Sequence, residues 1–315
     1  MRPKPGIIPF RPLALGEILD GAFQAIRSNP RTMIGLSAVV LAIITLVSAV
    51  PQAALLQDVG SMMGTTTPTL EDTLNMMTGS LEAGAVGGFL TMIAINIVTA
   101  MLVLAVSTAV LGQRVSPGQA WQRVRPRVFA VLGLAVVQTL ALASAFLLPI
   151  LPGVLVAVGG APIPGAILAL VGASGGTVLA VFLATRWSFT APALLLEEQG
   201  VFAAMRRSFR LVHGSFWRVL GITLLAQLLV GVGSTVIQMP FALVSTLFQD
   251  ADRMYADFWT NLGQLSVQGI GKVLAGAVFY PFAAAVTTLL YIDVRMRHEG
   301  LDVELLRTVE AGPNA

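Results

Sequence analysis

The densest run of chemically capable side chains is Tyr291-Ile292-Asp293-Val294-Arg295-Met296-Arg297-His298-Glu299-Gly300-Leu301-Asp302-Val303-Glu304. On a helix, Asp293 and Arg297, and likewise Arg295 and Glu299, stand at the i,i+4 spacing of ion pairs. Two readings are open. One is a solvated helix end, each pair contributing only tenths of a kcal/mol. The other is a docking or headgroup site in which Glu197 and Glu198 stand near as partners of Arg206 and Arg207. Other reactive types are sparse. His213 and His298 are the only histidines and are too far apart in sequence to suggest a metal or catalytic pair, so they read as interfacial polar residues. Cys is absent, which excludes disulfides, thiolate metal sites and thiol nucleophiles. Met62-Met63 and Met76-Met77 offer the soft thioethers that Cu(I) favours, without a Cys or His beside them. No acid–base pair, metal cluster or cofactor motif emerges, so no catalytic residue, metal or cofactor is assigned.

The elements that must position these residues are apolar. Of 315 residues, 56% are hydrophobic and 11% charged, against about 25% charged in a soluble domain. The apolar residues gather into charge-free runs long enough to cross a bilayer of ~30 Å as helix. Six such runs are Thr32–Leu56, Gly84–Leu111, Val128–Val158, Ile163–Thr185, Val219–Phe248 and Val273–Ile292. The third is overlong and holds Pro149 and Pro152. Its membrane helix is predicted to end near Leu148, leaving Pro149–Gly165 as a short apolar loop. Pro240 should kink or stop the fifth, because proline removes a donor and clashes with the preceding turn.

Within the runs no Asp, Glu, Lys, Arg or His appears, which weakens an ion-driven carrier or pump. The intramembrane polar residues are Asn96, Gln138, Gln227 and Gln238; they either bond between helices or line a cavity. Gly84…Gly88 and Gly172…Gly176 have the spacing that lets helix backbones approach closely. Lys272, at the start of the sixth run, reads as a side chain snorkelling to the outer headgroups.

Orientation follows from Lys and Arg. With six spans, one side holds 17 basic and 9 acidic residues, and the other holds 2 and 7. Both termini are therefore expected in the cytoplasm of a bacterial cell, with the protein in its inner membrane. The basic face suits anionic phospholipid headgroups, each surface cation adding ~1 kcal/mol. No groove-reading motif points to nucleic acid. The candidate headgroup or partner-binding residues are Arg27, Arg123, Arg125, Arg206, Arg207, Arg210, Asp293, Arg295 and Arg297.

A short pattern recurs on that face. Ala22-Phe23-Gln24-Ala25-Ile26-Arg27, Ala120-Trp121-Gln122-Arg123-Val124-Arg125 and Ser208-Phe209-Arg210-Leu211-Val212-His213 share one frame, at offsets of 98 and 88 residues. Each reaches a Gly inside an apolar run: Gly35, Gly133 and Gly221. The pattern predicts three copies of an amphipathic interfacial helix followed by a transmembrane hairpin. Leu15, Ile18, Leu19, Ala22 and Ile26 form the apolar face of the first helix; Phe202, Met205, Phe209, Val212 and Phe216 form that of the third. Ser116-Pro117 with Gln119 predicts a capped start for the second. Residues 241–262 predict an external aromatic helix.

Arg11-Pro12-Leu13 leading to Gly16-Glu17-Ile18-Leu19-Asp20, Pro192-Ala193…Glu197, Phe216-Trp217-Arg218-Val219 and Tyr291-Ile292-Asp293-Val294-Arg295…Arg297 resemble bacterial proteins of one family, the membrane domain of glycerophosphoryl diester phosphodiesterase. The resemblance implies a helical membrane domain. It does not imply the phosphodiesterase reaction, whose residues lie in a separate soluble barrel of ~250 residues. The expected architecture is all-α, a polytopic helical membrane protein with six transmembrane helices, interfacial amphipathic helices and a three-fold internal repeat. Residues 1–14 are a Pro-rich cytoplasmic tail. Residues 15–298 form one membrane domain with units at about 15–111, 116–185 and 200–292, and 299–315 form a C-terminal tail. The expected role is a non-catalytic domain that organises lipid or joins an envelope complex through a membrane or cytoplasmic protein partner. The alternative is a permease-like component moving a lipid or amphiphilic solute.

Overall fold

The computed structural model describes residues 8–9, 11–63, 92–93, 95–113, 115–248 and 258–300, with only the backbone of 54–63. Among them every regular element is helical. The order is α1 (Leu15–Ser28), α2 (Leu36–Met63), α3 (Ile95–Val110), α4 (Pro117–Val124), α5 (Val128–Leu147), α6 (Leu151–Val158), α7 (Pro162–Arg186), α8 (Thr190–Leu196), α9 (Val201–His213), α10 (Phe216–Ser245) and α11 (Phe258–Glu299). Five stretches are long and apolar enough to span a membrane: Arg31–Ala53, Pro117–Leu147, Pro162–Leu196, Phe216–Ser245 and Phe258–Glu299. The expected second span is described only in part, as the shorter α3. Gly84…Gly88, Met76-Met77 and the tail from 301 onward lie outside the described residues.

The local signals act as their chemistry requires. Ser116 Oγ accepts the Gln119 N–H at 3.3 Å, and Gln119 Oε1 accepts the Ser116 N–H at 3.0 Å, so α4 starts in a reciprocal cap. Asn29 ends α1, and a π-turn at Arg31–Gly35 turns the chain into α2. The side chains of Asn29 and Thr32 both donate to the Val115 carbonyl and hold that corner.

The recurring pattern falls in matching environments. Ala22, Ala120 and Ser208 are fully buried, as are Val124 and Val212, with Ile26 nearly so; Phe23, Trp121 and Phe209 are 51%, 42% and 38% exposed. Farther along, Met33, Val131 and Val219 are buried at the same offsets. The joint residue after each pattern bonds to chain beyond its own hairpin. Asn29 reaches Val115, Arg127 reaches the Leu194 carbonyl, and Ser215 reaches His298. Gly35 and Gly221 meet no neighbour that a methyl group would touch, so the shared glycine is not a packing requirement.

The apolar faces follow the sequence pattern in part: Ile18, Ala22, Ile26, Met205 and Val212 are buried as expected. Leu15 is exposed while Gly21 and Ala25 are buried, and α9 buries Ala204, Ser208 and Leu211 while exposing Phe202 and Phe209. An interfacial helix has two apolar surroundings, protein and lipid. Large rings suit the lipid side, whereas small residues admit close helix contact.

The segment Pro149–Gly165 is not a loop. It contains α6, and α5 with α6 runs antiparallel against α7. Glycine allows this approach. A Cβ at Gly153 would run into Ala169, at Gly165 into Ala157, and at Gly172 into the Pro149 carbonyl; at Gly176 it would stand 2.6 Å from the Phe146 carbonyl. The pair projects Leu155, Val158, Ile163, Leu170, Val171 and Val178 outward. Helices α10 and α11 also pack antiparallel, with Phe241 against Gly271 and Phe279 against Gly233. Despite Pro240, α10 continues to Ser245. Residues 241–245 therefore belong to α10, a 3-10 turn follows at Thr246–Phe248, and Phe258–Leu262 begin α11, so the described part of 241–262 forms no separate external helix.

Gly172→Ala is expected to lower stability by about 1–3 kcal/mol, because the methyl group meets backbone that cannot rotate away. Gly175, with no neighbour within 4 Å, should accept Ala almost neutrally. Thermal unfolding of both variants in detergent checks the difference.

Candidate functional site

Two sets of polar residues stand out. The first is an ion-pair network at the end of α11 that carries the C-terminal motif. Asp293 is fully buried. Its Oδ1 accepts the Leu13 N–H at 2.7 Å and Arg297 Nε at 3.0 Å, and its Oδ2 accepts Arg218 Nε at 3.1 Å and an Arg218 terminal nitrogen at 3.0 Å. The same two arginines return to the Leu13 carbonyl, Arg218 at 2.7 Å and Arg297 at 2.8 Å. The backbone of one residue is thus gripped at both of its polar groups by three side chains.

Beside it lies a second group. Arg207 donates to Glu197 at 2.9–3.1 Å and to Glu299 at 2.7 Å, while Arg295 donates to Glu299 at 2.9 Å. The Tyr291 hydroxyl donates to Glu197, and the Arg295 guanidinium lies 5.7 Å from the Tyr291 ring centroid. Burial alone would raise the Glu197 carboxyl, but hydrogen bonds from Arg207 and Tyr291 outweigh it and hold the group below its ordinary 4.5. Arg207 is raised, chiefly by its bond to Glu299.

The two i,i+4 pairs expected from the sequence form. They are parts of a partly buried network rather than a solvated helix end. Glu197 pairs with Arg207, but Glu198, 78% exposed, pairs with Arg127 at 3.2 Å. Four candidate headgroup residues, Arg207, Asp293, Arg295 and Arg297, are therefore engaged inside the protein. The other five, Arg27, Arg123, Arg125, Arg206 and Arg210, are exposed and make no ion pair among the described residues.

Sequence reasoning missed Arg218 and Arg186. The first appeared only as part of a motif. Arg186 is buried, with its guanidinium 4.5–5.5 Å from the ring centroids of Phe209, Phe182 and Phe216. It bonds to His213 Nδ1 at 3.2 Å, its Nε has no partner, and it faces no carboxylate among the described residues. An arginine only donates, so His213 Nδ1 accepts. The fold also brings the two histidines together: His213 and His298 line one pocket of about 310 Å³ with Arg207, Arg210 and Glu299. No cluster of three His or carboxylate groups suited to a metal occurs among the described residues.

The second set lies between the membrane-spanning helices. A cavity of about 530 Å³ among α2, α10 and α11 is lined by Gln52, Gln227, Gln238, Lys272 and Tyr280 along with apolar groups. A neighbour of about 370 Å³ among α3, α5, α8, α10 and α11 is lined by Asn96, Gln138, Trp187 and Thr287. Gln227, Val230 and Tyr280 line both. All four intramembrane polar candidates thus lie on the two cavities. Gln138 bonds between helices, to the Trp187 carbonyl at 3.3 Å. Asn96 bonds within its own helix to Met92 at 2.8 Å, and Gln227 and Gln238 bond to no described residue. Helix-to-helix hydrogen bonding therefore accounts for only one of them.

The long apolar helices and exposed apolar flanks define a multi-pass helical membrane protein. Residues 163–308 match the family described as the membrane domain of glycerophosphoryl diester phosphodiesterase. The match takes in Arg207, Arg218 and the C-terminal motif, while Arg11–Asp20 lies before it. It is to the membrane domain, not to the catalytic one. Comparison with curated proteins and with solved structures gave no match.

Because the Glu197 carboxyl is lowered by folding, its stabilisation is full above the unfolded value near 4.5 and is lost as pH falls below it. Thermal unfolding against pH should therefore show a decline below about pH 4.5 that is shallower in Glu197→Gln. Equal slopes for the two proteins would contradict the role given to this carboxylate.

Proposed function

We propose that the protein is a non-catalytic membrane domain that organises lipid in the bacterial inner membrane, both termini in the cytoplasm, and holds an amphiphilic molecule between its helices. The observation that carries this reading is the joined pair of cavities, in whose lining Gln227 and Gln238 bond to no described residue. In hydrocarbon such groups need a partner, which the polar part of an amphiphile supplies. The matching environments of the recurring pattern support a chain built as three units around this space. The exposed Arg27, Arg123, Arg125, Arg206 and Arg210 form a basic rim for anionic headgroups of the inner leaflet or for an acidic protein partner.

A permease-like role is the second reading. It is favoured by the meeting of the two cavities at Gln227 and Tyr280, which joins Gln52 and Gln238 on one side to Thr287 and Pro192 on the other.

Native mass spectrometry of the purified full chain tests the cavity. Ser234→Phe and Gln227→Leu, which alter the lining, are expected to cut retained lipid at least about fivefold, while Arg206→Gln and Arg210→Gln leave it unchanged. The opposite pattern would move the lipid contact to the arginine rim and overturn the reading. Lipid flux in proteoliposomes separates holding from passage.

A further inference from the structure

The larger cavity has a cation in its wall. Lys272 lines it, and neither cavity is lined by any carboxylate among the described residues. Its sequence position suggested a helix start reaching to headgroups. In the structure α11 already begins at Phe258, so about 20 Å of helix precedes Lys272 at 1.5 Å per residue. Around it the surface mixes polar and apolar side chains, with Ser266 and Lys272 exposed and Gln264 and Gln268 half-buried. Trp259, Ile270, Leu274 and Val278 are exposed on α11. Gly271 packs against Phe241, beyond which α10 still presents Leu243, Val244 and Leu247. Lys272, itself exposed, stands 20 residues before Ile292, about 30 Å of helix, and so at the outer end of one membrane crossing. A lysine so placed reaches the headgroup level and attracts an opposite charge there.

The rest of the lining completes a recognition site. Gln52 and Gln238 offer amide donors and acceptors, and Ser48 and Ser234 offer hydroxyls. Leu41, Ile44, Leu265 and Phe279 supply apolar wall. At about 530 Å³ the space lies in the range of ordinary small-ligand pockets, enough for a headgroup and the start of its chains. We infer that this cavity selects an amphiphile with an acidic headgroup, a phosphodiester or a carboxylate, placed against Lys272 and hydrogen-bonded by Gln52 and Gln238. The inference rests on the amphiphile-holding reading above and adds the charge of the ligand.

The full chain, reconstituted in vesicles of equimolar phosphatidylcholine and phosphatidylglycerol, or equimolar phosphatidylcholine and oleate, would be re-extracted and its retained lipid weighed by native mass spectrometry. The wild type should hold one acidic species over phosphatidylcholine by about tenfold, equal to ~1.4 kcal/mol. Which acidic lipid is held separates a phosphodiester from a carboxylate. Lys272→Gln should abolish the preference while still retaining lipid, and Lys272→Arg should keep it. Lys272→Met, compatible with an apolar helix, serves if the Gln variant does not fold. Unchanged preference in Lys272→Gln or Lys272→Met, or retention with no headgroup preference in the wild type, would overturn the inference and leave the cavity reading standing. A wild type that retains no lipid would instead remove the cavity reading itself.

Discussion

A single buried carboxylate organises one end of this protein. Asp293 has no access to solvent, and a carboxylate so placed is tolerated only when its oxygens are fully paired. It meets that condition with groups from three distant parts of the chain: the peptide N–H of Leu13 ahead of α1, Arg218 at the start of α10, and Arg297 one turn along α11. The arginines then close on the Leu13 carbonyl, so neither backbone polar group of that residue is left unmet. Fixing Arg218 against Asp293 also fixes how α10 lies along α11, and the same antiparallel alignment places Phe241 at Gly271 and Phe279 at Gly233. Gln227 and Gln238 on one helix and Lys272 and Tyr280 on the other thereby come to line a common space. The motif on the surface and the cavity in the bilayer are linked through the register of two helices.

Features governed by near neighbours were legible in the sequence. Apolar runs gave the long helices, Ser116 and Gln119 gave the cap of α4, and four-residue spacing gave the pairs along the end of α11. The matched family covers the part of the chain where its most specific motif lies. The rest depends on which distant segments meet. Nothing local marks the Leu13 peptide as a ligand for Asp293, sets three phenylalanine rings around Arg186, or places His213 beside His298. The α9 face was misjudged for a different reason. Hydrophobicity distinguishes water from everything else, and cannot separate lipid from protein interior. Phe202 and Phe209 thus read as core, although Ala204 and Ser208 are what the helix buries. Pro149 and Pro152 read as a break, yet proline is accepted in the first turn of a helix, and α6 begins there.

These arrangements divide the polar residues into two kinds of work. Arg207, Arg218, Arg295 and Arg297 hold the protein together through fixed carboxylate partners, whereas Arg27, Arg123, Arg125, Arg206 and Arg210 are exposed and make no ion pair among the described residues. Between the spanning helices Gln227 and Gln238 face open space and bond to no described residue. That contrast favours reading the C-terminal motif as architecture and the cavities as the place where another molecule is met.

The most direct test of this account is a double-mutant cycle between Asp293 and Arg218, read by thermal unfolding of the full chain in detergent. Asp293→Asn alone should cost about 3–5 kcal/mol, since it strands arginine charge against a buried site. Arg218→Gln should then add far less than its own single cost, because the two residues act through one network. Additive losses, or an Asp293→Asn protein as stable as the wild type, would show that the buried carboxylate does not organise the fold.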